Sequence, residues 1–340
     1  MLLSREGLLS RIHLKSKGNK QGNQLFFYTY SRDAIYDILK ISGIDYDDEI
    51  ILPDYICSTV IEVILQITKK IKFYNINDEL EYSENEIESL ISKKTKLIFF
   101  VDYFGIQTLV SKKLESQLKK QNILIIKDAA HSFLTILNNN YAKDYDYDYL
   151  ISSIYKNIPI QVGSIAIGDF KNKKNFINLF ILIKRFLVLF IKNLIYLLGL
   201  QKFLNAELYN IKVSSTEYKN SSYGINAYRI YSFLFKHIDF EKIIKERQDL
   251  INQFDTFIRG NTSFTPMIKA YSIEMNILQG YPLIFKCKHE RDFLLKTMID
   301  NKIDAYTWPT FHSININKAL WDRVLILPID KRVIKVISNV

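Results

Sequence analysis

The sequence predicts an α/β protein: a large domain with a mostly parallel sheet sandwiched by helices, followed by a smaller α+β domain. Three observations carry this. Between residues 31 and 168, short β-rich runs alternate with stretches of helical spacing, as strands joined by crossover helices do. The run Lys96–Tyr103 (Lys-Leu-Ile-Phe-Phe-Val-Asp-Tyr) is nearly continuous in apolar character, as a strand covered on both faces must be. After about residue 215 the alternation changes, with no internal repeat or low-complexity linker between the two parts. A chain of 340 residues with 48% apolar content has enough core-forming material for both. The domains are therefore placed at 1–215 and 216–340.

In chain order, Ser31–Ile41 has helical spacing and Glu49–Leu52 reads as the end of a strand. Cys57–Ile67 is helical, Lys70–Ile76 a strand, Glu84–Ile91 a helix, and Lys96–Tyr103 the buried strand. Ser111–Lys120 is the next helix, followed by strands at Asn122–Lys127, Tyr149–Ser153 and Ser164–Gly168. Phe176–Leu200 is rich in Phe, Leu and Ile but carries Lys184, Arg185 and Lys192, so it lacks the uninterrupted run of a spanning helix. Polar positions 178, 185 and 192 lie seven apart and form one narrow stripe on a helix. Such a helix suits the core, a dimer interface, or a membrane surface with its basic residues facing headgroups. In the second part, Arg229–Phe235, Phe240–Phe257 and Glu290–Asn301 are helical, while Tyr281–Lys286, Asp304–Thr307 and Val324–Pro328 read as strands.

Composition narrows the function. The formal charge of +10 comes from basic residues dispersed among acids in Lys-, Asn- and Ile-rich text, without the aromatic-interleaved basic stripe of a nucleic-acid surface. No nucleic-acid partner is expected. Cys57 and Cys287 cannot build a disulfide framework, and the opening residues lack a signal-peptide pattern, so a cytoplasmic location is expected. His13, His237, His289 and His312 have no metal-ligand spacing. Gly-rich phosphate loops, Gly-x-Ser-x-Gly elbows and His-Glu-x-x-His are also missing.

In parallel sheets chemistry gathers at the carboxyl ends of the strands. There the sequence places Asp54 and Tyr55, Tyr103-Phe104-Gly105, Asp128 and His131, then Ser153 and Lys156. Asp128 in Ile-Lys-Asp-Ala-Ala-His and Lys156 in Ser-Ser-Ile-Tyr-Lys end successive apolar runs. An acid and a lysine so placed are what a pyridoxal phosphate enzyme needs. The amine condenses with the cofactor aldehyde, and the acid keeps the pyridine nitrogen protonated. Desolvation is expected to lower the Lys156 pKa.

The order of motifs resembles the DegT family of pyridoxal phosphate-dependent sugar aminotransferases, which have the fold-type I aminotransferase architecture. The likeness runs through Tyr30-Ser31-Arg32-Asp33-Ala34-Ile35, Glu49–Tyr55, Phe100–Gly105, Asp128-Ala129-Ala130-His131 and Ser153–Pro159 with Gly163. It ends at Tyr281-Pro282-Leu283 and Leu325–Ile329. The resemblance implies pyridoxal 5′-phosphate as cofactor, with Lys156 and Asp128 catalytic. His131 would approach the ring hydroxyl, and Arg32, Asp33 and Ser153 would hold the phosphate. The family's ring-stacking aromatic falls at Cys57, which cannot stack, so Tyr55 is the candidate to cover the ring. Ser31 replaces a usual glycine, and the segment expected to cross to a dimer partner, Tyr223–Asn226, matches loosely.

The same resemblance implies a homodimer transferring an amino group from an amino acid, glutamate as a rule, to a keto sugar. That sugar would be nucleotide-linked, in polysaccharide or related glycan synthesis. Two other readings stand beside it. One is a non-transaminating enzyme such as a sugar dehydratase, although dehydratases of the family typically carry histidine at the Lys156 position. The other is a silent or membrane-associated scaffold that keeps the fold, with Phe176–Leu200 touching the bilayer.

Overall fold

A computed structural model describes residues 24–138, 147–158, 160, 163–170, 176–178, 224–226, 237–261, 263–309 and 317–338, and single positions 183, 187, 191, 231 and 235. Its centre is a seven-stranded sheet in the order β1-β7-β6-β5-β4-β2-β3. These strands are β1 (Gln24–Tyr28), β2 (Glu49–Pro53), β3 (Ile71–Tyr74), β4 (Thr95–Val101), β5 (Leu124–Asp128), β6 (Tyr149–Ser153) and β7 (Ser164–Gly168). From β3 to β6 every pairing is parallel. β7 returns antiparallel to β6, and β1 closes the edge antiparallel to β7.

The expected alternation is therefore present, with helices α1 (Ser31–Ile41), α2 (Ser58–Ile64), α3 (Glu84–Leu90) and α4 (Lys112–Lys120) as crossovers. Ser83 and Ser111 start α3 and α4 as N-caps, accepting the Glu86 and Leu114 N–H groups. A short α5 (Phe133–Leu137) follows β5. One edge was not legible. β1 joins the sheet through its pairing with β7, a contact more than 130 residues away in sequence, so no local pattern announces it.

The later chain forms a second sheet of three antiparallel strands, β10 (Thr265–Pro266), β11 (Tyr281–Ile284) and β12 (Val324–Leu327). Helices α6 (Phe240–Gly260), α7 (Ala270–Met275), α8 (Lys288–Asp300), α9 (Lys318–Trp321) and α10 (Lys331–Ile337) surround it. The expected strand Asp304–Thr307 is reduced to one bridge, Tyr306 with Ile326. The chain there turns into the Trp308–Pro309 corner instead of continuing along β12. The boundary placed near 215 lies outside the described residues.

One reading of Phe176–Leu200 is corrected at its start. Phe176–Asn178 is a strand, β8, paired antiparallel with β9, Gly224–Asn226. Ile183, Leu187 and Ile191 are helical and lie on the surface.

Two apolar cores pack on the large sheet. One packs Ile35, Leu39, Ile61, Ile98 and Phe100 with Trp308 and Ile326, and takes in consecutive residues of β2 and β4 from both faces. The other gathers Phe27, Leu150 and Ile165 with Phe254, Tyr281 and Leu327 from the later chain. The C-terminal elements thus complete cores that the first sheet begins, through burial that is the main favourable term in folding.

The loop after β4 is welded to this second part. Phe104 has φ +54° and Gly105 φ +101°, a conformation that favours glycine. A Cβ on Gly105 would meet the Ile277 carbonyl oxygen at 2.4 Å. Gln279 N–H donates to the Phe104 carbonyl at 2.7 Å, and Thr135 Oγ1 to Gly105 at 2.9 Å. Gly105→Ala is expected to destabilise the protein by at least about 1–3 kcal/mol, from backbone strain and the clash. The midpoint of urea unfolding measures this loss.

Candidate active site

Main-chain pairing sets the carboxyl ends of β4, β5 and β6 side by side. Val101 is in register with Asp128, and Asp128 with Ile151. The Asp102 N–H donates to the Asp128 carbonyl at 2.9 Å, and the Ala129 N–H to the Ile151 carbonyl at 2.8 Å. A cavity of about 360 Å³ opens over these ends, within the size range of small-molecule sites. Asp128, His131, Ser153, Lys156 and Arg32 all line it.

Asp128 is only 7% exposed, and its Oδ1 accepts the Ala130 N–H at 3.1 Å. Among the described residues no hydrogen bond reaches its other oxygen. Burial raises the Asp128 pKa, while the Lys156 charge and the Ala130 N–H oppose that rise. Lys156 follows β6 on a tight turn. Asn157 N–H donates to the Ile154 carbonyl at 3.0 Å, and Ile154 N–H to Gly163 at 2.8 Å. Gly163 has φ +141°, and a Cβ there would strike the Tyr231 hydroxyl.

The expected lowering of the Lys156 pKa is corrected. Burial alone would lower it, but Tyr155, Cys57, Asp128 and Tyr306 outweigh burial and raise it. In the cofactor-free site Lys156 is therefore the cation that balances Asp128.

His131 is 4% exposed, and burial followed by the Lys156 charge holds its pKa well below the ordinary value. It is neutral at pH 7. The Phe104 N–H donates to its Nδ1 at 3.3 Å, so the ring proton sits on Nε2. The imidazole stacks on Phe104 at 5.7 Å and 11°, with Trp308 edge-on at 5.2 Å.

At the other end of the cavity, Ser31 Oγ lies 2.7 Å from Ser153 Oγ and 2.8 Å from Ser164 Oγ. Ser164 also donates to the Ser152 carbonyl at 2.8 Å. These hydroxyls meet at the N-terminus of α1, an anion-favouring place. Arg32 stands beside them, its guanidinium 4.5 Å from the centre of the Tyr30 ring. Ser31, read as a departure from glycine, thus supplies a hydroxyl that ties β6 and β7 to the helix start. Ser164 had no signal in the sequence, because only the antiparallel return of β7 brings it here.

Two expected site residues lie elsewhere. Asp33 is not on the cavity wall. Its carboxylate accepts the Tyr30 N–H at 3.1 Å and closes a capping box at the start of α1. Tyr55 is fully buried, its hydroxyl donating to the Trp308 carbonyl at 2.5 Å and its ring edge-on to Trp308 at 5.1 Å. It backs the wall instead of covering a ring. Aromatic surface comes from His131 and Trp308, with Cys57 also on the cavity. Tyr306, Thr307 and Trp308 line the cavity, and Tyr306 and Trp308 also pack into the core. Tyr306 is tethered, its hydroxyl donating to Gln279 Oε1 at 2.8 Å.

A larger cavity of about 560 Å³ lies beyond Tyr103 and Thr108. Its Lys269 is already paired with Glu79 and Glu81, and it holds no partner to the Asp128–Lys156 chemistry. Volume does not choose the site. Among the described residues no His, Cys, Asp and Glu cluster could hold a metal ion.

The chemistry lining the smaller cavity suits pyridoxal phosphate. A buried carboxylate with an open oxygen suits a pyridinium N–H, a lysine suits the aldehyde, and hydroxyls at a helix N-terminus with an arginine suit the phosphate. Fold and site together define a pyridoxal phosphate-dependent aminotransferase of fold type I. Residues 31–166, the segment that carries Lys156, Asp128, His131, Arg32 and Ser153, match the model of the DegT/DnrJ/EryC1/StrS aminotransferase family.

Solved structures agree in fold. Spr1654 of Streptococcus pneumoniae, assigned as a sugar aminotransferase and solved in its PMP form, is 17% identical with a TM-score of 0.67 over 98% of this chain and 88% of its own. A DegT DnrJ EryC1 StrS aminotransferase of Brucella abortus gives 16% and 0.63 over 99% and 91%. PseC of Helicobacter pylori, an aminotransferase involved in the biosynthesis of pseudoaminic acid, gives 15% and 0.61 over 98% and 89%. No curated protein matches by sequence.

Asp54, at the end of β2, is a structural acid. It accepts the Ile76 N–H at 3.0 Å and the Asn75 amide at 3.1 Å, and burial pushes its pKa up to about 6. Its folded pKa exceeds the unfolded one, so its contribution is complete below about pH 4 and is lost as pH rises through about 6. Asp54→Asn should flatten this part of the stability profile, read as the difference in melting temperature between pH 4 and pH 7.

Proposed function

We propose that this chain takes an amino group from an amino acid, glutamate being the expected donor, and delivers it to the keto group of a nucleotide-linked sugar. The setting proposed is polysaccharide or related glycan synthesis. The single observation that carries the reading is the cavity whose wall brings together Lys156, Asp128 and the bonded hydroxyls of Ser31 and Ser153. A sugar acceptor is supported by the lining, where Tyr30, Tyr155, Tyr306 and Trp308 offer stacking faces and hydroxyls. It is also supported by the description of Spr1654 as a sugar aminotransferase.

The bound cofactor supplies a carbonyl for the incoming amine and a ring that accepts electrons from the adjacent carbon. The rest falls to the side chains. Asp128 keeps a proton on the ring nitrogen, and its low-dielectric surroundings strengthen that contact. With the cofactor held there, the Lys156 amine would be the base that takes the proton from the donor α-carbon and the acid that gives it back. His131 offers its Nε2 proton to the ring hydroxyl. Arg32, Ser31 and Ser153, with the first turn of α1, hold the phosphate.

Lysine instead of histidine at 156 counts against a sugar dehydratase. The assembled acid, lysine and hydroxyl set counts against a silent scaffold. The test is reduction of the pyridoxal phosphate-loaded protein with borohydride. A pyridoxyl mass on the peptide containing Lys156, missing in Lys156→Ala, is expected. A wild-type protein that neither binds the cofactor nor acquires this mass would sink the reading.

The assembly proposed is a homodimer in a reducing cytoplasm, consistent with free Cys57 and Cys287. A peripheral membrane contact is a second reading with its own observation. Ile183, Leu187 and Ile191, four apart, are 48%, 55% and 46% exposed. Residues 170–206 contain seven Lys and Arg and no Asp or Glu, a charge that favours anionic lipid and opposes pairing with a second copy. Among the described residues no helix is long and apolar enough to cross a membrane. Co-sedimentation with phosphatidylserine vesicles, lost on replacing Lys184 and Arg185 by Glu, is expected; equal sedimentation of both proteins refutes the contact.

A further inference from the structure

Behind the cavity lies a charged pair that the proposed chemistry does not use. Lys127, in the middle of the apolar run of β5, forms an ion pair with Asp102, and neither side chain is exposed to solvent. Lys127 also donates to the Thr108 carbonyl, while Asp102 Oδ1 accepts the Thr108 N–H at 2.8 Å. Asp102 follows β4 directly, lines the cavity, and donates its own N–H to the Asp128 carbonyl at 2.9 Å. A buried ion pair contributes little stability that apolar side chains of the same size would not. Packing alone is a weak reason for its presence on two adjacent strand ends.

Its position suggests a stronger reason. Asp102 and Asp128 are both buried carboxylates on adjacent strand ends, and two such groups raise each other's pKa when no cation intervenes. Lys127 is that cation. The titratable groups facing Asp128 are Lys156 from the turn after β6, Asp102 and Tyr103 from the loop after β4, Lys127 from its own strand, and His131 beyond it. Of these, His131 is neutral and Tyr103 keeps its proton because of burial. Lys156 is consumed when the cofactor is attached. Lys127 then remains the cation beside the two acids.

We propose that the Lys127–Asp102 pair is a positioning unit for Asp128, holding its carboxylate ionised and set towards the cavity so that it can keep the cofactor ring nitrogen protonated. This rests on the pyridoxal phosphate reading above, and it assigns to Lys127 a role in charge rather than in contact with the cofactor.

The experiment reads Asp128 directly. In cofactor-free protein, the infrared absorption of a protonated carboxyl, assigned by its loss in Asp128→Asn, is followed against pH. In Lys127→Met the Asp128 midpoint is expected to rise by about one pH unit or more, because Asp102 loses its partner. Asp102→Asn, which removes the negative neighbour, does not raise it. A disturbance of structure alone would move both variants in the same direction. Lys127→Gln makes the same charge change with a side chain that can still reach Thr108, and it replaces the Met variant if that one does not fold. A spectrophotometric titration with pyridoxal phosphate at pH 7 is expected to show about tenfold weaker binding in the Lys127 variant, recovering as pH is raised. An unchanged midpoint in a folded Lys127 variant, or an equal rise in Asp102→Asn, overturns the proposal. Failure of the wild-type protein to bind pyridoxal phosphate would overturn the cofactor reading instead, and the infrared midpoints would still judge the pair.

Discussion

A carboxylate taken out of water at the end of a parallel strand is the constraint around which this molecule is arranged. Asp128 can occupy that place only because its main chain is held by the neighbouring strand ends and its charge is met by cations. The sheet meets the first need through the Asp102 N–H on one side and the Ile151 register on the other. Lys156 and Lys127 meet the second from opposite directions. Parallel pairing makes this possible, because it brings successive carboxyl ends to one edge where their side chains share a cavity.

The later part of the chain is no appendage to that site. It closes the second core against β1, β6 and β7, and it sends Tyr306 and Trp308 to the cavity wall. Trp308 touches Tyr55, Tyr103, Phe104 and His131 within one aromatic cluster. The side chains that orient His131 thus come from the loop after β4 and from the far end of the chain. Gly105, pressed against the Ile277 carbonyl, lets the two segments approach more closely than any side chain there would allow. Exclusion of water is what gives a single carboxylate and a single amine their effect.

Much of the site could be read from local text. Asp128, His131, Ser153 and Lys156 sit at strand ends marked by apolar runs, and Arg32 at a helix start marked by small and polar residues. What misled is equally physical. Tyr55 was the aromatic nearest the missing ring-stacking position, but alternation along the chain turned it into the core, where its hydroxyl met a carbonyl. Asp33 lies beside the anion site, but an acid in the first turn of a helix is better satisfied by the free N–H groups there than by a phosphate. Ser164 and β1 depend on an antiparallel return that leaves no periodic mark of its own.

The amino-acid sequence by itself determined the alternating α/β plan, the cofactor's chemistry and most of the singled-out residues that line the cavity, because period, polarity and chain order are local properties. Only the tertiary structure decided which acid lines the cavity and which is a cap or a clamp, as it separated Asp128 from Asp33 and Asp54. It also decided that Lys156 is held charged rather than neutral, and that Lys127 lies buried against Asp102. Those outcomes depend on burial and on charges contributed from distant strands, and neither quantity exists until the sheet has formed.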